Sequence, residues 1–226
     1  MESFLVLDVG GTFIKYAMAD GSGAIVKETV GEEPAHSEGA PELFLQALGN
    51  VVTKARGFSL PFSRAGICFP GPFDYEAGIP MMEHKFVSMK GRSITPLFSS
   101  LGVEPLYLHD STAFLLGEMS DGALRGHETC SGIMLGTGFG FAMAKDGKVC
   151  IGRDQRPALS LWGKPFLDGI VEDSISRRAM RADYRKRSGS SALLDVKEIG
   201  ERADTGDEDA REVFREVGRN IALVLK

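Results

Sequence analysis

Residues 7–15 read Leu-Asp-Val-Gly-Gly-Thr-Phe-Ile-Lys, and an apolar run from Ser3 leads into them. The pattern predicts a strand over 4–9, a tight hairpin at 10–12 and a second strand over 13–18. Gly10 and Gly11 carry no Cβ, so backbone N–H groups at the tip are open to phosphate oxygens. Asp8, fixed on the strand, can hold a hydrated Mg2+ beside those oxygens. The same residues also describe an ordinary Gly-Gly hairpin with a surface Asp.

Around this start the chain alternates strand and helix. A third strand is expected over 24–29 after a turn at 20–23, then an amphipathic helix over 40–56 with Leu43, Ala47, Val51 and Ala55 at fours and Phe44 and Leu48 beside them. A buried strand over 65–69 runs into the rigid turn Pro70-Gly71-Pro72. Residues 74–92 read as loop, 94–101 as a short helix and 105–108 as a strand. Ser111 is expected to cap a helix over 112–120. Strands over 130–135 and 139–144 flank Gly136-Thr137-Gly138, and a return strand follows over 148–151. Beyond it the pattern is helical: one or two helices over 165–187, a short one over 196–203 and a long amphipathic one over 207–225. The strand–hairpin–strand unit thus occurs twice, near Asp8 and near Gly136. That weak duplication points to two related lobes facing each other across a cleft.

Composition narrows the function classes. A chain of 226 residues with a net charge of -5 has room for two modest lobes and lacks the basic balance of a general nucleic-acid binder. Cys68, Cys130 and Cys150 are scattered, which fits a reducing cytosol and offers neither a disulfide framework nor a zinc site. His36, His84, His109 and His127 are dispersed too. The start Met1-Glu2-Ser3 enters a strand at once, so no leader is read there, and no apolar run has the length of a membrane span.

Two further segments could carry chemistry. The tip at 136–138 offers amides and a hydroxyl to a second set of phosphate oxygens, or is a plain glycine hairpin. Asp110, at the end of a strand and the start of a helix, is placed either to take a proton from an attacking alcohol or to cap the helix.

In order, these segments resemble the ROK sugar-kinase family, whose α/β architecture is the two-lobed actin-like ATPase (ribonuclease H-like, hexokinase-type) fold. Residues 7–15 look like its first phosphate motif and 66–74 like its Pro-Gly-Pro segment. His109-Asp110-Ser111-Thr112-Ala113 is similar to its Asn-Asp-x-x-Ala catalytic segment, 135–140 to its second phosphate motif, and 200–223 to the helix carrying Gly-Asp-x-x-Ala. The resemblance implies an N-terminal lobe over 1–108 and a C-terminal lobe over 109–226. It implies phosphoryl transfer from ATP-Mg2+ to a hydroxyl of a hexose or amino-sugar, with Asp110 as base. Asp8, Gly10, Gly11, Thr12, Lys15, Gly136, Thr137 and Gly138 would hold nucleotide phosphates, with Mg2+ on Asp8 through water. Gly71, His109, Asp110 and Glu172 would meet the sugar. It further implies a cytoplasmic homodimer, with no membrane and no nucleic acid as partner.

There are departures. The family's zinc segment is absent, so no structural zinc is expected. His109 stands for Asn, and Arg153, Asp154, Gln155 and Arg156 fill the stretch where sugar-binding Glu and His belong. Lys226 closes the chain before the strand and Gly-rich turn that would flank adenosine, so the second lobe is expected to be incomplete. Alternatives are therefore a weak or inactive sugar sensor without a DNA-binding domain, or a kinase that takes polyphosphate as donor.

Overall fold

Strand β1 (Ser3–Val9) alternates because one of its faces is core: Leu5, Leu7 and Val9 are buried, while Asp8 is exposed. It pairs antiparallel with β2 (Phe13–Asp20), which pairs antiparallel with β3 (Ile25–Pro34). Helix α1 (Pro41–Arg56) then crosses the sheet. Its Phe44, Ala47, Leu48, Val51, Val52 and Ala55 are buried. Leu43, expected in that stripe, is 45 % exposed, because the buried face runs one row over, through Val52. The crossover returns the chain to β4 (Arg64–Phe69), parallel to β1, and a second one to β7 (Glu104–His109), parallel to β4. The sheet order is β3-β2-β1-β4-β7. This is the α/β arrangement of the ribonuclease H-like fold.

The structure is a computed structural model describing residues 2–83, 85–136 and 138–226. The stretch 74–92 is more ordered than its Pro and Gly content predicts. It holds the two-residue strands β5 (Phe73–Asp74) and β6 (Ile79–Pro80) and a 3-10 turn at Val87–Met89. An aromatic cluster binds it to the sheet. Phe69 stacks on Phe73 at 4.4 Å between centroids, and Phe86 lies 4.8 Å from Phe44 and 5.1 Å from Phe69. Short helix α2 (Thr95–Ser100) precedes β7, and α3 (Asp110–Asp121) follows it without a loop. Ser111 therefore sits inside α3 and does not cap it; the side chain at the helix start that accepts a backbone N–H is Asp110.

Strands β8 (Cys130–Leu135), β9 (Phe139–Lys145) and β10 (Lys148–Val149) form a second antiparallel sheet in the order β10-β9-β8. Alternation along β9 sends Phe139 and Phe141 into one core, and Ala142 and Ala144 into another with Leu115 of α3. Residues 165–170, expected as helix, instead form the hairpin β11 (Pro165–Phe166) and β12 (Gly169–Ile170). Then come α4 (Val171–Ser174), α5 (Arg177–Ser188), α6 (Val196–Asp204) and α7 (Glu208–Val224). Asp207 caps α7 by accepting the Ala210 N–H at 3.0 Å. The apolar face of α7 meets Phe139, Phe141, Ile175, Tyr184 and Ile199.

Two compact units result: Met1–Ala113 with Ile151–Arg156, and Phe114–Cys150 with Pro157–Lys226. Residues 109–113, read from sequence with the second lobe, fall with the first unit: His109 ends β7 and 110–113 are the first turn of α3 directly after it. No helix among the described residues is long and apolar enough to cross a membrane.

Phe69 is fully buried at the centre of the aromatic cluster. Phe69→Ala is expected to cost about 3–5 kcal/mol, measured as a lower midpoint in urea unfolding followed by circular dichroism.

Candidate functional site

The parallel strands of the first unit end side by side. Asp8 on β1 is in register with Cys68 on β4, and Phe69 with His109 on β7. Ligands of such sheets bind at the carboxyl ends of the strands, and here that edge carries Asp8, Cys68, His109 and Asp110. Burial, followed by the charges of Asp8 and then Asp110, pushes the Cys68 thiol far up. One sulfur thus senses both carboxylates.

Asp110 is held by its neighbours. His109 Nδ1 lies 2.8 Å from its Oδ1. The Ser111 N–H is 2.7 Å from the same oxygen and 3.2 Å from His109 Nδ1. A charged acceptor at the shorter distance wins, which leaves the Nδ1 proton to be donated to Asp110. Partial burial raises the carboxyl, but the His109 bond and charge and the Ser111 N–H and hydroxyl outweigh it and hold the group below its ordinary 3.8. Asp110 is therefore an ionised acceptor at neutral pH. His109 in turn lies against Gly71: a methyl there would be 3.3 Å from Nε2. The bare backbone of Gly71 gives the imidazole its room. Tyr75 closes this side, its ring 5.8 Å from that of His109 and its hydroxyl donating to the Phe69 carbonyl at 2.9 Å.

The first glycine loop offers fewer amides than its sequence promises. The Gly10 N–H is spent on the Phe13 carbonyl at 2.9 Å, which closes the hairpin. Gly11 and Thr12 have no backbone acceptor for their N–H groups among the described residues. Their carbonyls are tied down, Gly11 by the Ser37 hydroxyl at 2.6 Å and Thr12 by the Ala35 N–H at 2.9 Å. Lys15 stands opposite Asp8 on β2. Among the described residues no three His, Cys, Asp or Glu side chains cluster as a metal cage. A lone exposed Asp8 beside free amides suits Mg2+ held chiefly by phosphates and water.

In the second unit, the Gly136 N–H is bound to the Gly138 carbonyl at 3.1 Å. Thr137, a predicted phosphate ligand, lies outside the described residues. Glu172, on the first turn of α4, accepts the Phe139 N–H at 3.0 Å, and a methyl on Gly138 would collide with that same carboxylate oxygen. The structure thus brings Glu172 to the second glycine tip.

The sequence profile of the ROK family matches residues 4–156. This chain belongs to the ROK family. It is 25 % identical over 223 residues to a glucokinase of Thermotoga maritima, covering 89 % of the chain and 69 % of that protein. An N-acetyl-D-glucosamine kinase of Mannheimia succiniciproducens is 27 % identical, with 90 % and 72 % covered. Among solved structures, a glucokinase from Parabacteroides distasonis superposes with a TM-score of 0.81 at 27 % identity, over 99 % of this chain and 68 % of the other. The two-lobed actin-like assignment of the fold therefore stands for this ROK protein. Sequence reading did not assign Tyr75 or Cys68 to the site. Their only signal was position, since both lie close to the Pro-Gly-Pro turn at 70–72.

The carboxyl resonance of Asp110 is expected to titrate below 3.8, and His109→Ala to move it upward; 13C NMR reads both. Because the folded value is depressed, the stabilisation that Asp110 gives is present above its unfolded value and is lost as pH falls through the folded one. In the second unit, Gly138→Ala should displace Glu172 and orphan the buried Phe139 N–H, at about 1–3 kcal/mol. Thermal melts and amide exchange at Phe139 check this.

Proposed function

We propose that this ROK protein transfers a phosphoryl group from Mg2+-ATP to a hydroxyl of a hexose or amino-sugar. The observation that carries the reading is the pair Asp8 and Asp110 on the carboxyl edge of one parallel sheet, with Asp110 ionised and hydrogen-bonded and with Gly11 and Thr12, just past β1, having no backbone acceptor for their N–H groups among the described residues. The names of its relatives, glucokinase and N-acetyl-D-glucosamine kinase, support the acceptor class.

Asp110 accepts the proton of the sugar hydroxyl as that oxygen forms its bond to phosphorus and the bond to the leaving diphosphate breaks. Its low affinity for protons suits a late transfer, in which the hydroxyl becomes acidic only as the O–P bond forms. His109 donates to Asp110 through Nδ1, which holds the carboxylate in place at the end of β7. Gly11 and Thr12 present N–H groups to phosphate oxygens. Mg2+, when bound, neutralises charge on the transferring phosphate, and Asp8 is the carboxylate that orients its water shell. Cytosolic location follows from the use of ATP, and a homodimer remains the assembly we propose.

The test is phosphate transfer from ATP across glucose, N-acetylglucosamine, mannose and N-acetylmannosamine. Asp110→Asn is expected to lower kcat by about 10²–10⁴-fold with nucleotide binding retained. Unaltered turnover would remove Asp110 from the base role. Sugar binding with no affinity for Mg2+-ATP by calorimetry would replace the kinase with a sensor.

A further inference from the structure

Lys85 is a side chain that the structure lays across the first glycine loop without a sequence motif to predict it. A methyl built on Gly11 would lie 3.3 Å from its Cδ, 3.5 Å from its Cε and 3.7 Å from its Nζ. The whole outer half of the side chain therefore runs along Gly11. The ammonium makes no ion pair among the described residues, unlike Lys90 nearby, which bonds Glu83 at 2.6 Å.

The backbone is built to hold this placement. Phe86 takes the left-handed conformation, φ 51°, which costs a non-glycine residue about 1–3 kcal/mol. Full burial of its ring between Phe44 and Phe69 offsets that cost. Ser37 then joins the segment to the loop: its carbonyl accepts the Phe86 N–H at 3.0 Å while its hydroxyl donates to the Gly11 carbonyl at 2.6 Å. Ser88 adds a bond to the Gly39 carbonyl at 2.8 Å. An anchored residue in a strained conformation thus aims its neighbour at a loop whose Gly11 and Thr12 N–H groups face no backbone acceptor. The Lys85 cation thus lies along the loop that follows Asp8.

We propose that Lys85 is a phosphate-contacting residue: its ammonium binds the terminal phosphate of the donor at the Gly11–Thr12 amides and stays with it through transfer. The inference deepens the kinase reading and rests on it for the identity of the donor. Charge on the three equatorial oxygens of the transferring phosphoryl group is what such a cation stabilises. The competing account is that the lysine stem merely covers Gly11 and its head snorkels to water. Methionine keeps the stem and removes the charge, so the two accounts separate.

The full chain, Lys85→Met, Lys85→Arg and the control Lys90→Met are titrated with inorganic tripolyphosphate in Mg2+ by calorimetry, and assayed for transfer from ATP to glucose and N-acetylglucosamine. Lys85→Met is expected to weaken tripolyphosphate binding by about tenfold or more, as for loss of one charge-assisted bond. Lys85→Arg is expected to keep most of the affinity, and Lys90→Met all of it. In turnover the loss falls on kcat and on KM for ATP, not on KM for sugar. Tripolyphosphate binding that is absent from the wild type, or equal in Lys85→Met, overturns the proposal. A wild type that turns over while Lys85→Met is unchanged leaves the kinase reading standing and removes Lys85. A wild type inactive on every sugar, with tripolyphosphate binding that still depends on Lys85, does the reverse.

Discussion

The parallel pairing of β4 with β1 on one side and β7 on the other is the constraint on which the site depends. Its register sets Asp8 beside Cys68 and His109 beside Phe69. Strand side chains alternate, so a slip of one residue would send Asp8 into the core and Leu7 to the solvent. Burial of Leu5, Leu7, Val9, Ala65, Ile67 and Phe69 under α1 forbids that slip. The same apolar residues that hold the sheet together thereby fix the distance and direction of the carboxylates at its edge. Chemistry here is a by-product of register, which makes the core under α1 as much a determinant of the site as the site residues are.

Much of this was legible in the sequence, for identifiable reasons. Strands β1, β2, β4, β8 and β9 are short apolar-rich runs whose ends are marked by glycine tips or Pro-Gly-Pro, so composition and punctuation agree. Helix α7 has a strong apolar face and an aspartate cap, and its limits fall within a residue or two of expectation. The hairpin at 165–170 was not legible. Two-residue strands carry no period, and Pro165, Gly169 and the helix starting at Val171 blur together into one helical stretch. The order within 74–92 was hidden for a different reason. It comes from tertiary aromatic packing of Phe73 and Phe86, which no local pattern encodes.

At the site, residue types were readable and hydrogen-bond accounts were not. Asp110 was open between base and cap. In the structure its carboxylate takes the Ser111 N–H and the His109 proton together, so one oxygen serves the helix start while the group stays ionised. The glycine loops looked like rows of open donors. Gly10 and Gly136 each spend their N–H on closing their own turn, a cost of tight hairpins that sequence composition does not show. Lys85 was invisible because its address depends on Ser37 and Phe86, forty-nine residues apart in the chain (Phe86 minus Ser37) and joined by a single backbone bond.

The position of Cys68 has a chemical corollary. Alkylating agents and peroxides attack sulfur as its anion, and a thiol pushed up by burial and by the charges of Asp8 and Asp110 keeps its proton. The centre of this sheet edge is therefore guarded against covalent damage by the very charges that equip it for phosphate chemistry.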